Sequence, residues 1–306
     1  MSIAEIENKI KNVICIANNP QIVANFASIG NWDGPHRSWI FRGQSKSEWD
    51  FVPSIFRSNI SEEWILRQKG EKINYFEFSE RELKVIRNFV KISDSVGLKV
   101  PTDSYEFRTR DANRYLNAFD ENFPPKENIE IWAIAQHHGI PTRLLDFSHN
   151  AFYAAFFAAI DSFEKGDFVG DLTVLALNIG KYWEISNRRE FRRIQLVSVP
   201  TYDNNYLFSQ KGIFLYDKNI QDRWKEEKQS HEIAVFSILD AFAEECEKLK
   251  IDLPDVIRMM KYPKHKVTDL LLHLHKNDIN LAGLMPNYDS IKKTMEIERK
   301  IKFERM

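Results

Sequence analysis

The chain has 306 residues, 43% apolar and 13% aromatic, so it can bury a sizeable core and is not a disordered segment. Lysine and arginine number 43 against 44 aspartate and glutamate, and the net charge of −1 gives no global basic field for nucleic acid, leaving only a local patch open. Only 11 glycines and two distant cysteines, Cys15 and Cys246, point to a helix-rich protein of a reducing compartment, with neither a disulfide framework nor a zinc ligand set.

Ser2 and Glu5 have capping-box spacing. Ile3, Ile6, Ile10, Val13, Ile14 and Ala17 follow at helical intervals, which predicts a helix over 3–18 within an N-terminal segment 1–30. This segment has acids and no apolar centre, so it does not read as a signal peptide. Turn-rich Asn31–His36 leads into a strand, Ser38–Arg42, that ends at Gly43. A helical series covers about 61–92, with a second capping-box pattern at Ser79 and Glu82. Residues 94–126 are weakly patterned and read as a loop or insertion closed by Pro124-Pro125. Asn128–His138 predicts a helix that Gly139 caps, Leu144–Phe147 a strand, and Ala151–Phe163 a helix with Ser148 as its cap. Strands are expected at 172–177, 194–199 and 212–216. Helices are expected over the remainder, most clearly 267–275 and 288–303.

The longest apolar run, Ala151–Ile160, is too short to span a bilayer, so a cytoplasmic protein with no membrane partner is expected. Short strands mixed with unequal helices, without regular βαβ alternation, favour an α+β fold: a helix-rich single domain around a small mixed or antiparallel sheet. The domain is expected over 31–291, with 292–306 as a helical tail.

Three polar segments could carry chemistry. In Phe41-Arg42-Gly43-Gln44 a strand ends in a guanidinium suited to bidentate contact with phosphate or carboxylate, or to an ion pair pinning the strand. The run from Gln136 through His137, His138, Thr142, Arg143 and Asp146 to Ser148 crowds polar groups between two apolar helices. They must satisfy a ligand or one another, for instance through Asp146 with Arg143 or His138. A polar turn, Ser209-Gln210-Lys211, enters the third strand. Neighbouring histidines diverge by about 100° on a helix, so no metal site is expected at His137, His138, Asp146 and His149. Arg188, Arg189, Arg192 and Arg193, with Tyr182 and Trp183 before them, form the one dense basic cluster. It reads as a helix's solvated face or as a nucleic-acid contact. No P-loop, GxSxG or HExxH motif occurs.

Together these blocks resemble the FRG-domain family. FRGQ with EWDFVPSIFR (Glu48–Arg57), AQHHGIPTRLLDFSHNAFYAAFFA (Ala135–Ala158) and FSQKGIFLY (Phe208–Tyr216) are similar to its successive blocks. Leu272–Ile291 resembles its closing segment, with Met285-Pro286-Asn287 in place of a Phe-Pro-Asp turn. The order of elements is also similar to ADP-ribosyltransferase-like folds. That resemblance implies NAD as substrate, with Arg42 gripping phosphate or ribose and Thr142 or Ser148 supporting the nicotinamide pocket. Gln210 then stands where a glutamate is usual. A neutral amide cannot offset developing positive charge as a carboxylate does, so Asp146 is the alternative source of charge. The expected catalytic set is Arg42, His138, Asp146 and Gln210, and the ligand-binding set is Gln44, Gln136, His137, Thr142, Arg143 and Ser148. The expected function is an ADP-ribosyltransferase or NAD glycohydrolase of toxin or phage-defence type. The alternatives are a nucleotide-, nucleic-acid- or protein-binding module, and a purely structural role for the motifs.

Overall fold

The structure is a computed structural model, and it describes residues 2–27, 38–47, 50–66, 68, 71, 73–111, 123–186, 193–198, 212–226 and 237–304. The helices that shape the site and its surroundings are α1 (Ile3–Lys9), α2 (Tyr75–Ser95), α3 (Ile129–His137), α4 (Ala151–Lys165), α5 (Ile238–Lys248), α6 (Val267–His275) and α7 (Tyr288–Glu304). The strands are β1 (Ile14–Ile16), β2 (Trp39–Gln44), β3 (Leu145–Ser148), β4 (Asp171–Asn178), β5 (Ile194–Val197), β6 (Gly212–Asp217) and β7 (Ile257–Pro263). They form one sheet in the order β1-β7-β4-β2-β3-β6-β5. β1 runs parallel to β7 and the other neighbours are antiparallel. The fold is therefore α+β, helix-rich around a mixed sheet.

Side-chain alternation along the strands divides the core. Ile40, Leu145, Phe147, Leu175, Ile213, Leu215 and Met259 face one layer, which α1 and α5 cover. The opposite face is shared. Over β7, β4 and β2 lie α4 and α6, through residues such as Ala155, Ala159 and Leu271. Over β6 and β5 lie α2 and α3, through Leu83, Ile86, Trp132 and Ala135, which meet Phe214 and Tyr216. α4 rests close on the sheet because it presents alanines, and because Gly43 has no side chain. A Cβ there would lie 1.9 Å from the Ala154 carbonyl oxygen.

Several expectations need correction. The helix expected over 3–18 stops at Lys9, and Ile14–Ile16 instead adds to the sheet edge beside β7. β7 itself reads as helical in sequence, yet its Ile257, Met259 and Met260 are fully buried in the sheet. The 61–92 series is two helices, Ser58–Trp64 and α2. Asn74 caps α2, so Ser79 and Glu82 lie inside it, both buried. β2 continues through Gly43 to Gln44. Asn150, not Ser148, caps α4 by accepting the Phe152 N–H. The capping box of Ser2 and Glu5 does form, and Gly139, at φ +81°, ends α3. Its N–H donates to the Gln136 carbonyl, and that of Ile140 to Ala135, the Schellman pattern. The insertion segment holds a short helix, Tyr105–Thr109, and residues 112–122 lie outside those described. α7 begins before the expected tail and buries Ile301 in the core shared with α4 and α6. No helix among the described residues is long and apolar enough to cross a membrane.

Candidate active site

The two central strands barely touch. β2 pairs with β4 from Trp39 to Gln44, and β3 with β6 over its whole length. Between β2 and β3, however, only Phe41 and Ser148 are in register. The sheet opens there, and the opening lies between the helix pairs α4/α6 and α2/α3. A cavity of about 190 Å3 occupies it, bounded by Phe41, Arg42, Gly43, Asp146, Ser148 and Gly212 from the strands, and by Gln136, His137 and Phe157 from α3 and α4. Met285, from the segment before α7, also lines it. The three blocks singled out in sequence thus meet at one cavity, together with the closing segment.

Arg42 bridges the opening. Its Nη1 lies 2.7 Å from Asp146 Oδ1 and donates to the Asp146 carbonyl oxygen at 2.8 Å. A side chain thereby serves a backbone acceptor at the place where strand pairing fails. Among the described residues the buried Arg42 Nε has no acceptor. Desolvation would raise the Asp146 carboxyl, but Arg42 by charge and hydrogen bond, helped by Arg57, holds it below the usual carboxylate range. Asp146 therefore carries its charge at neutral pH while its side chain stays half-exposed. Arg57 is held by the Val52 carbonyl at 3.0 Å. Burial and the nearby charge of Arg42 push its guanidinium down from its ordinary value, and Asp146 opposes them.

His137 and His138 have perpendicular rings 5.3 Å apart. Burial, and then the neighbouring His138, bring His137 down to about 4 against the pull of Asp146, so its imidazole is neutral at pH 7. Burial also lowers His138. That residue is exposed at the end of α3 and does not line the cavity, whereas His137 does. Among the described residues no cluster of His, Cys, Asp and Glu could hold a metal ion.

Thr142 is fully buried behind the cavity. It joins Gln136 to Ser54: Thr142 Oγ1 and Ser54 Oγ donate to Gln136 Oε1 at 2.9 and 3.2 Å. Arg143, expected at the ligand, points into a separate knot. It meets Glu82 through Nε at 2.9 Å and Nη2 at 2.6 Å, donates to Tyr75 Oη and Ser79 Oγ, and stacks 4.3 Å above the Phe123 ring. Glu82 also accepts from Trp132 Nε1. The supposed capping residues Ser79 and Glu82 are thus partners of Arg143, and that guanidinium has nothing left for a ligand. Gln44 is buried on β2 opposite Thr173 and lies outside the lining. Ser148 lines the cavity, and its Oγ accepts the Asn150 N–H.

Gln210 lies outside the described residues, as do Arg188, Arg189 and Arg192. Arg193 is buried between Asp217 at 2.8 Å and Glu244 at 2.9 Å, and Tyr182 donates to Glu245 at 2.6 Å. These two members of the basic and aromatic cluster are internal and paired within the protein. Sequence reasoning gave no separate role to Arg57, Phe157 or Met285. Arg57 closes the EWDFVPSIFR block, and that position was its only signal.

Residues 37–166 match the family model described as FRG domain. The match contains Arg42, Arg57, Gln136, His137, Asp146 and Ser148, the polar residues of the site. No curated protein matches the chain, and no solved structure matches it.

Proposed function

The chain carries an FRG domain, and from that premise we propose that the cavity between β2 and β3 binds a nucleotide-like ligand and is the site of ADP-ribosyl chemistry on NAD. The single observation that carries this reading is the convergence of Arg42 and Asp146, from separate blocks, in one cavity with an aromatic wall. Arg42 supplies a fixed cation for phosphate oxygens, and the charge of Arg57 lies near it. Phe41, Phe157 and Phe214 line the cavity and make it suited to a ring. The ionised carboxylate of Asp146 is suited to an oxocarbenium-like centre. In that reaction the bond between C1′ of the ribose and the nicotinamide nitrogen breaks, and its electron pair leaves with nicotinamide. Water or a nucleophile of an acceptor then bonds to C1′ and gives up a proton. Neutral His137 and Ser148 line the same cavity. An effector of toxin or phage-defence type would use such a reaction.

The test is calorimetry with NAD on the wild type and on Arg42→Ala, followed by chromatography for released nicotinamide. Binding that Arg42→Ala abolishes supports the reading. Absence of binding by the wild type, or equal binding by the variant, overturns it. One observation favours a binding module without chemistry: Arg42 already offsets the charge of Asp146. NAD binding without nicotinamide release, unaltered in Asp146→Asn, would select that second reading.

A further inference from the structure

We infer that Gln136 is the specificity-determining donor of the cavity: its amide nitrogen is held toward the ligand and selects one that presents an acceptor oxygen there. The inference rests on the reading of the cavity as a nucleotide site.

The orientation of the amide follows from what the two hydroxyls have already accepted. Thr142 Oγ1 takes the Leu144 N–H at 3.1 Å, and Ser54 Oγ takes the Thr142 N–H at 3.2 Å. Each hydroxyl therefore keeps its own proton to donate. Thr142 is fully buried, and among the described residues Gln136 Oε1 is the acceptor its hydroxyl reaches. Ser54 reaches the same oxygen at 3.2 Å, or the Thr142 carbonyl at 3.4 Å. Turning the amide over would place N–H against O–H and leave the buried Thr142 proton without an acceptor. The carbonyl end of Gln136 is thus fixed on the protein side. The Nε2 hydrogens meet no acceptor among the described residues, and the residue lines the cavity. Arg42 Nε is a buried donor without an acceptor among the described residues.

A donor fixed in this way suits an oxygen that is neutral or anionic. In NAD that oxygen belongs either to the nicotinamide carboxamide or to a phosphate, and the two are separable. ADP-ribose keeps the phosphates and lacks the nicotinamide.

Gln136→Glu is the informative variant. A carboxylate keeps one oxygen for Ser54 and Thr142 and replaces the NH2 with an acceptor, so the buried network survives while the donor is lost. Calorimetry with NAD and with ADP-ribose, on proteins of matched unfolding midpoint, gives the answer. We expect NAD binding about tenfold or more weaker in Gln136→Glu. An equal loss for ADP-ribose assigns the contact to phosphate, and a loss confined to NAD assigns it to the carboxamide. Thr142→Val removes the hydroxyl that orients the amide and should also weaken NAD, by less. NAD binding by Gln136→Glu within about twofold of wild type overturns the inference and leaves the nucleotide site standing. Failure of the wild type to bind either ligand overturns the nucleotide reading and this inference with it.

Discussion

Arg143 and Arg42 show how two similar residues in neighbouring motifs take opposite roles. Arg143 is fully buried against Glu82, with every nitrogen engaged, and its guanidinium is held above its ordinary value chiefly by the Glu82 charge, against desolvation. Breaking such a pair leaves an uncompensated buried charge, so Arg143→Met should lower unfolding free energy by about 3–5 kcal/mol in urea titrations. The double substitution with Glu82→Leu should recover part of that loss. Arg42 instead has a partly exposed partner, and its buried Nε has no acceptor among the described residues. A third charged residue bears on pH. Burial raises Asp240, at the first turn of α5, to about 6, and its buried Oδ1 has no hydrogen-bond partner among the described residues. Its folded value lies above the unfolded one of about 4, so its contribution favours folding at low pH and is lost as pH rises through about 6. Asp240→Asn should therefore raise the unfolding midpoint at pH 7.5 and have little effect near pH 4, as thermal scans at the two pH values would reveal.

At the scale of elements, the contact between β2 and α4 governs the shape of the cavity. Phe41, Arg42 and Gly43 line it from the strand, Ala154 and Phe157 from the helix. Gly43→Ala would drive a methyl group against the backbone of Ala154, which a helix cannot move locally. The expected cost is about 1–3 kcal/mol, with ligand binding reduced beyond what the stability loss explains. Gly139 is the contrasting case. Its added methyl would meet open space, but its backbone is left-handed, so Gly139→Ala should cost about 1 kcal/mol through conformation alone. Thermal unfolding of both variants beside NAD calorimetry separates packing from backbone strain. The two glycines were legible in sequence as special positions. The reason for Gly43 was not, because close approach involves a residue more than one hundred positions away.

For the whole molecule, the sheet joins distant parts of the chain into one body. β1 lies against β7, while Ile6 and Ile10 are buried in the layer formed with α5. Ile10→Ala should cost about 2–5 kcal/mol in denaturant unfolding, as for any core residue, if the N-terminal segment is structurally integral. What the sequence by itself determined is local or compositional. Periodicity located α3, α4, α6 and α7, β-branched and aliphatic content located β4, β5 and β6, the strand-end motif marked Arg42, and the density of polar groups marked Gln136, His137, Asp146 and Ser148. The same patterning failed at β1 and β7, because short apolar runs carry no period that separates a buried strand from a helix. Only the tertiary structure decided that β2 and β3 part in mid-sheet, that Asp146 answers Arg42, and that Arg143 turns away to Glu82. Strand order and ion-pair choice depend on which distant segments meet. The local spacing of residues does not record that, because a guanidinium looks the same in sequence whether its carboxylate faces a cavity or lies within the core.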